Sequence, residues 1–395
     1  MSKIREIEMK KLLVILLVAT LALTSLSASV SFVFGDLGQH PDILGGFLPS
    51  YLLIGAGFDL PQLIEGNTTE LRLLVGDGYT QRVMWLDEDT GENLYDSGTW
   101  TKDSALRYNV WQNTVSLRFV QGFLTSPVNG KDLLTLIVNA DVNYEKYYSG
   151  SKFLFFNIKG NYDDIIASDY SGRTYPDLNG HDGYLGVEIG ASLKLDLMTD
   201  TLHTNDGMWT RVNVKVGPAA LNRAQSGHAS YFSIVWNTVG AKTLYNLTSS
   251  DGASLFSIVL ADRVNASYTT GDAVPASVIG PVSLGRKIRG YNTYTYGTEF
   301  SLVNNFDIRF AGPDAGIRGI APRLNLFFDC GYGWGRVFNT DRSEKNFLSS
   351  LGAQIEMSFF DFIDLGFQLN WLLGEKEKYT QPGHFTWNFT FFLDF

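Results

Sequence analysis

The sequence predicts an all-β fold, a transmembrane antiparallel β-barrel, on three observations. Apolar and polar side chains alternate over runs of eleven residues or more, rings gather at the ends of the apolar rows, and no long apolar stretch follows an N-terminal export signal. Successive side chains of a strand point to opposite faces, so such runs describe ribbons that are oily on one side and polar on the other. Composition agrees: aromatics reach 14% and charged residues only 18%, yet mean hydropathy is −0.02. Strict alternation averages to neutrality, whereas a bundle of membrane helices does not.

Residues 1–28 read as a secretory signal peptide and residues 29–395 as the barrel. Lys10 and Lys11 precede an apolar run from Leu12 to Leu23, and Ser25, Ser27 and Ala28 supply small residues for cleavage. That run is shorter than the roughly 20 residues of a spanning helix. Cys330 is the one cysteine, so neither an internal disulfide nor a thiolate metal cage can hold the fold. A sheet closed on itself would, because it leaves no backbone group unpaired in hydrocarbon.

The strands follow in order. Alternation marks them near 50–60, 69–85, 107–124, 132–148, 182–198, 207–217, 229–246, 251–264, 295–311, 319–334, 347–359, 361–373 and 384–395. In "LGVEIGASLKLDL" the apolar row is Leu185, Val187, Ile189, Ala191, Leu193, Leu195 and Leu197. The last strand, "FTWNFTFFLDF", sets Trp387, Phe389, Phe391 and Phe395 on one face and ends on a ring, in the manner of a signal read by barrel-insertion machinery. A soluble sandwich also alternates, but its strands average about five to six residues, against roughly 9 to 11 for a membrane strand. Single-chain bacterial barrels carry even strand numbers, so a further strand is expected inside 149–181 or 265–292.

Two neighbouring stretches narrow the reading further. "SLGRKIRGYNTYTYGTEFSLVNNFDIRF" and "IRGIAPRLNLFFDCGYGW" carry Ile288, Arg289, Gly290 and Tyr291, then Phe327, Asp329 and Gly331. The pair resembles the barrel of the BamA, TamA and FhaC superfamily of outer-membrane assembly and secretion proteins. There a Val-Arg-Gly-Phe/Tyr loop tip folds back into the lumen opposite a Phe-x-Asp-x-Gly strand. The resemblance covers the C-terminal third best, and it implies sixteen strands, with fourteen as the alternative, and a long extracellular loop in the lumen. Between Ser29 and the first expected strand there is no room for the periplasmic POTRA modules of that family. The chain is similar in this to POTRA-less envelope proteins of Thermotogae. On the strand "RLNLFFDCGYG", Asp329 should point inward, where a guanidinium lowered by the loop could meet it.

The chemistry-bearing motifs are few. There is no Gly-x-Ser-x-Gly, His-Glu-x-x-His or P-loop pattern, and His40, His181, His203, His228 and His384 are scattered. No enzyme, catalytic residue, cofactor or metal is expected; Asp87, Asp89 and Glu92 lack the spacing of a calcium loop. A net charge of −10 gives no reason to expect nucleic acid. The lumen should be charged by Arg72, Glu188, Lys194, Arg211, Lys215, Arg309, Arg323 and Glu356, with a slight acid excess once Asp141, Glu145, Asp196, Asp307, Asp364 and Asp394 are included. Such a lumen would favour cations. The expected function is a porin-like or structural barrel of a diderm outer membrane, passing ions and small polar solutes. Its partners would be outer-membrane lipids, the insertion machinery and its own copies, a trimer first. The alternative, implied by the resemblance, is an assembly or export factor.

Overall fold

The computed structural model describes residues 28–35, 51–84, 106–126, 130–148, 151–153, 156–158, 183–200, 205–222, 230–250, 254–274, 276–291, 296–313, 320–338, 343–359, 363–376 and 383–394. One fifteen-stranded antiparallel sheet holds the two-residue Thr199–Asp200 and fourteen longer strands. These are β1 (Ala28–Gly35), β2 (Tyr51–Asp59), β3 (Thr69–Met84), β4 (Leu106–Thr125), β5 (Asp132–Tyr148), β6 (Gly183–Asp196) and β7 (Asn205–Gly217). The second half comprises β8 (Ser230–Thr248), β9 (Ser254–Ala273), β10 (Thr298–Ala311), β11 (Ile320–Val337), β12 (Ser343–Phe359), β13 (Ile363–Leu372) and β14 (Phe385–Asp394). Each pairs with the strand before and after it, and β14 pairs with β1. The ladder is a ring.

Burial follows the alternation. On β11, Leu324, Leu326, Phe328 and Tyr332 are exposed while Asn325, Phe327 and Asp329 are buried between them. Leu193, Ile355, Trp371 and Trp387 repeat the outward pattern around the ring, and Ser192, Gln368, Asn370 and Asn388 the inward one. An apolar exterior over a polar interior is the surface of a barrel wetted by lipid outside and water inside. No helix among the described residues is long and apolar enough to cross a membrane. The crossing elements are the strands.

Three expectations change. Among the described residues the pairing gives fourteen long strands, the alternative count, each with two neighbours. Among the described residues the further strand is β1, outside 149–181 and 265–292. Ser151–Phe153 and Phe156–Ile158 pair only with each other, and residues 265–273 continue β9 beyond its expected end at 264. Ala28, the last residue of the expected leader, is the first of β1.

The ring is uneven in strength. β14 meets β13 through nine residue pairs but β1 through two, Val33 opposite Asp394 and Phe34 opposite Leu393. Opposed Cα atoms in an antiparallel pair lie about 4.5 to 5.5 Å apart, within reach of a disulfide. Cysteines at Val33 and Asp394, in a Cys330→Ser background, should therefore cross-link within one chain on mild oxidation of the folded protein and not after denaturation. Failure in folded protein would open the ring.

Candidate functional site

Between β9 and β10 the chain turns into the lumen. Residues Ala276–Val282 form helix α1 and Leu284–Lys287 a single helical turn, α2. Pro281 and the short spans leave neither helix enough turns to be stable alone, so packing must hold them. Two apolar clusters do so within an otherwise polar interior. Val278, Ile279 and Val282 of α1 pack with Tyr231 of β8, Val274 and Phe338. Leu284, Ile288 and Tyr291 pack with Val303 of β10, Leu348 of β12 and Leu372 of β13. Leu284 and Ile288 are fully buried.

The tip then binds by charge. The Arg289 guanidinium donates from Nε to Asp329 Oδ2 at 2.8 Å and from Nη2 to Asp329 Oδ1 at 2.6 Å, a two-pronged contact. The Arg289 backbone N–H donates to the same Oδ2 at 2.9 Å. Asp307 of β10 forms a second ion pair with Nη2 at 2.7 Å. Phe327 lies under the guanidinium, its ring centre 3.8 Å from the central carbon. Asp329 has no solvent exposure, so its charge rests on these contacts.

The remaining motif residues act by shape. A Cβ at Gly331 would come within 2.7 Å of Leu284 Cδ1 and 2.9 Å of Val303 Cγ2, so the bare backbone there is where the loop seats. Gly290 has φ of +98°, and a Cβ would meet Asn370 and Leu372 side-chain carbons at 2.8 Å. Its carbonyl accepts from Thr386 Oγ1 at 3.2 Å, while Tyr291 donates its hydroxyl to the Glu375 carbonyl at 2.6 Å. The structure thus brings Ile288, Arg289, Gly290, Tyr291, Phe327, Asp329 and Gly331 into one contact. It adds Asp307, Asn370 and Thr386. Inward alternation in "FDIRF" made Asp307 visible as a lumen charge, but no sequence spacing tied it to Arg289.

Of the other lumen charges, Glu188 bonds Lys215 and Tyr231. Lys194 pairs with Asp196 at 2.7 Å, Arg72 with Glu70 at 2.6 Å and Arg309 with Asp307 at 3.2 Å. Arg211 donates to the Ser192 hydroxyl at 2.8 Å and forms no ion pair among the described residues. Arg323 faces Glu356 across β11 and β12, with its buried Nε unmatched, and Glu356 accepts from Gln354 at 2.7 Å. Trp387 and Phe389 are exposed on the outer face. Phe391 is placed through its backbone, opposite Leu365, and Phe395 lies outside the described residues, as do Asp87, Asp89, Glu92 and every histidine but His384.

Beside the loop lies a cavity of about 560 Å3, and next to it one of about 300 Å3; Arg289, Asp307 and Arg309 line both. This cavity is basic, where a slight acid excess was expected of the lumen as a whole. Arg211, Lys215, Arg263, Arg286, Lys287, Arg289 and Arg309 line the larger space, and Asp307 is the carboxylate that faces them. Asp262, its other acidic neighbour, bonds Asn304 on the outer face. Three of the seven basic side chains, Arg286, Lys287 and Arg289, come from the loop, and the other four from β7, β9 and β10. Lys287, off the spanning strands, donates to Ser267 and Ser301 hydroxyls at 2.9 and 2.8 Å, and burial draws its ammonium down to about 7. No cluster of metal-ligating side chains occurs among the described residues.

A closed antiparallel ring with an apolar exterior, a polar interior and an inner loop clamped to its wall defines the protein as a transmembrane β-barrel with a docked lumen loop. No protein-family model and no curated protein matches the chain. Solved structures similar to it include BamA from Haemophilus ducreyi lacking POTRA domains 1–3, at 13% identity and a TM-score of 0.46, over 94% of this chain and 70% of that one. CdiB from Escherichia coli is similar at 10% identity and a TM-score of 0.47, and CdiB from Acinetobacter baumannii at 9% and 0.42. The chain is covered to 93% in both and spans 62% and 59% of those two proteins.

Two substitutions test the clamp. Arg289→Leu leaves the Asp329 carboxylate buried without its counter-ion, and should cost about 3–5 kcal/mol in denaturant unfolding of the detergent-folded protein. Arg289→Leu with Asp329→Leu should recover part of that loss. Gly290→Ala should instead lift the tip while the ring persists, seen as faster trypsin cleavage after Arg289 with an unchanged strand signal in circular dichroism.

Proposed function

We propose that the protein is an outer-membrane channel for ions and small polar solutes, in which the docked loop narrows the lumen without filling it. The observation that carries this reading is the pair of adjoining cavities beside the loop, walled by charged side chains of β7 to β12. Water-filled polar lumens pass solutes whose charge suits the lining. Here the lining beside the loop is basic, so anions are favoured over cations. The Arg289 clamp holds the loop to β10 and β11 beside these cavities.

A second reading, assembly or export of other envelope proteins, draws on one observation, the two-pair contact between β1 and β14. A short pairing between first and last strands leaves backbone donors and acceptors near an edge where a client strand could add. The two readings use different parts of the ring. Conduction runs through the lumen, and strand addition through the seam.

Planar-bilayer recording separates them. The folded full chain should conduct, with a reversal potential in a KCl gradient of the sign that marks anion preference, and Arg289→Leu should raise the conductance. Locking the seam with the Val33–Asp394 cysteine pair should leave conduction unchanged. A silent bilayer would reject the channel, and loss of other barrel proteins from cells carrying the locked form would favour the second reading.

A further inference from the structure

Four of the basic side chains around the larger cavity have no carboxylate partner among the described residues. Lys215 is matched by Glu188, Arg289 by Asp329 and Asp307, and Arg309 by Asp307. Arg211 has a serine hydroxyl and Lys287 has two; among the described residues Arg286 and Arg263 form no ion pair, and Asp307 and Asp329 act on Arg263 only through their field. They come from three separate elements: Arg211 from β7, Arg263 from β9, Arg286 and Lys287 from α2. The loop therefore carries the Arg286 guanidinium and the ionisable Lys287 amine, whose charged form a bound anion would favour, to a wall that already has two guanidiniums. The buried Nε of Arg309, on the same cavity, also lacks an acceptor.

Like charges crowded into one space repel, and low-dielectric walls strengthen the field they make. Arg289 already fastens the loop, and Asp307, the carboxylate facing the cavity, is already ion-paired with Arg289 and Arg309. Guanidinium groups present paired N–H donors that match the oxygens of phosphate and carboxylate, and they are weakly hydrated, so they surrender water readily to such a ligand. A space of about 560 Å3 falls in the range of small-molecule sites.

We infer that this cavity is a binding site for a small multivalent oxyanion, a solute carrying two or more phosphate or carboxylate charges, held by Arg211, Arg263, Arg286 and Lys287. The site deepens the channel reading and rests on it for its purpose: it would select such solutes from those entering the lumen. Binding itself does not need conduction. The site also requires the loop in place, since half of its cations ride on α2.

The test is calorimetric titration of the full chain, folded in a neutral detergent, with inorganic pyrophosphate and separately with citrate at low ionic strength. Saturable binding of either is expected, stronger than for chloride and weakened by added salt. In Arg263→Gln with Arg286→Gln the affinity should fall by about tenfold or more. Arg72→Gln, on a strand that does not line the cavity, should bind as the parent does. Slower migration of boiled than unboiled protein on a gel checks that each variant is folded. Pyrophosphate binding alone would assign phosphate chemistry, and citrate binding alone carboxylate. No saturable heat with either, or equal affinity in the folded double variant, overturns the site. A protein that conducts but does not bind refutes the site alone, and one that binds but does not conduct refutes the channel and leaves the site standing.

Discussion

In hydrocarbon no water can serve an unpaired backbone N–H or C=O, and each such group left bare costs several kcal/mol. A sheet in that solvent must meet its own first strand. Most of what is seen follows from this: long strands, antiparallel pairing of neighbours in the chain, and side chains sorted by a period of two into lipid and lumen rows. The constraint also explains where economy is possible. At the β1–β14 contact two residue pairs suffice to join the ring, and the chain concentrates its pairing elsewhere.

Closing the ring creates an interior that the outer rows cannot stabilise. Polar inward side chains bond one another, as Ser267 with Ser301 and Asn370 with Thr386, but they give a loop no apolar surface to pack on. The lumen wall supplies it locally instead. Val303, Leu348 and Leu372 form an inward apolar patch where polar residues otherwise stand, and Gly331 leaves the hollow into which Leu284 fits. Phe327 in turn needs Gly352, where a Cβ would lie 2.5 Å from its ring. Desolvating Arg289 and Asp329 is costly, and the contact is favourable because five partners meet there: two carboxylates, a backbone N–H, a guanidinium and a ring.

The outward rows were legible because lipid imposes one rule on every strand. Leu193, Ile355 and Trp371 obey it, and so did the prediction. β1 alternates too, in "ASVSFVFG", but it is only eight residues long and directly follows the expected leader, and the first strand was expected near residue 50. Residues 265–273, "NASYTTGDA", carry one ring, Tyr268, in a lipid row otherwise of Ala266, Thr270 and Asp272, so the end of β9 gave a weak hydrophobic signal. In the site, Arg289 and Asp329 were legible through a family likeness, and the inward aim of Asp329 through alternation. The glycine hollows, Asp307 and the basic cavity were not. They depend on which side chains of distant strands share a height in the ring, and register between strands is not written in one strand's pattern.

The account depends most on the claim that lipid wets one row and the lumen the other. Trp236 of β8 stands on the outer face, and Trp209 of β7 on the inner face beneath Lys194. Single-tryptophan versions of the protein, folded into vesicles with brominated acyl chains, compare the two rows directly. The account predicts strong quenching of Trp236 by the lipid and little of Trp209. Equal quenching of both, or of neither, would contradict it.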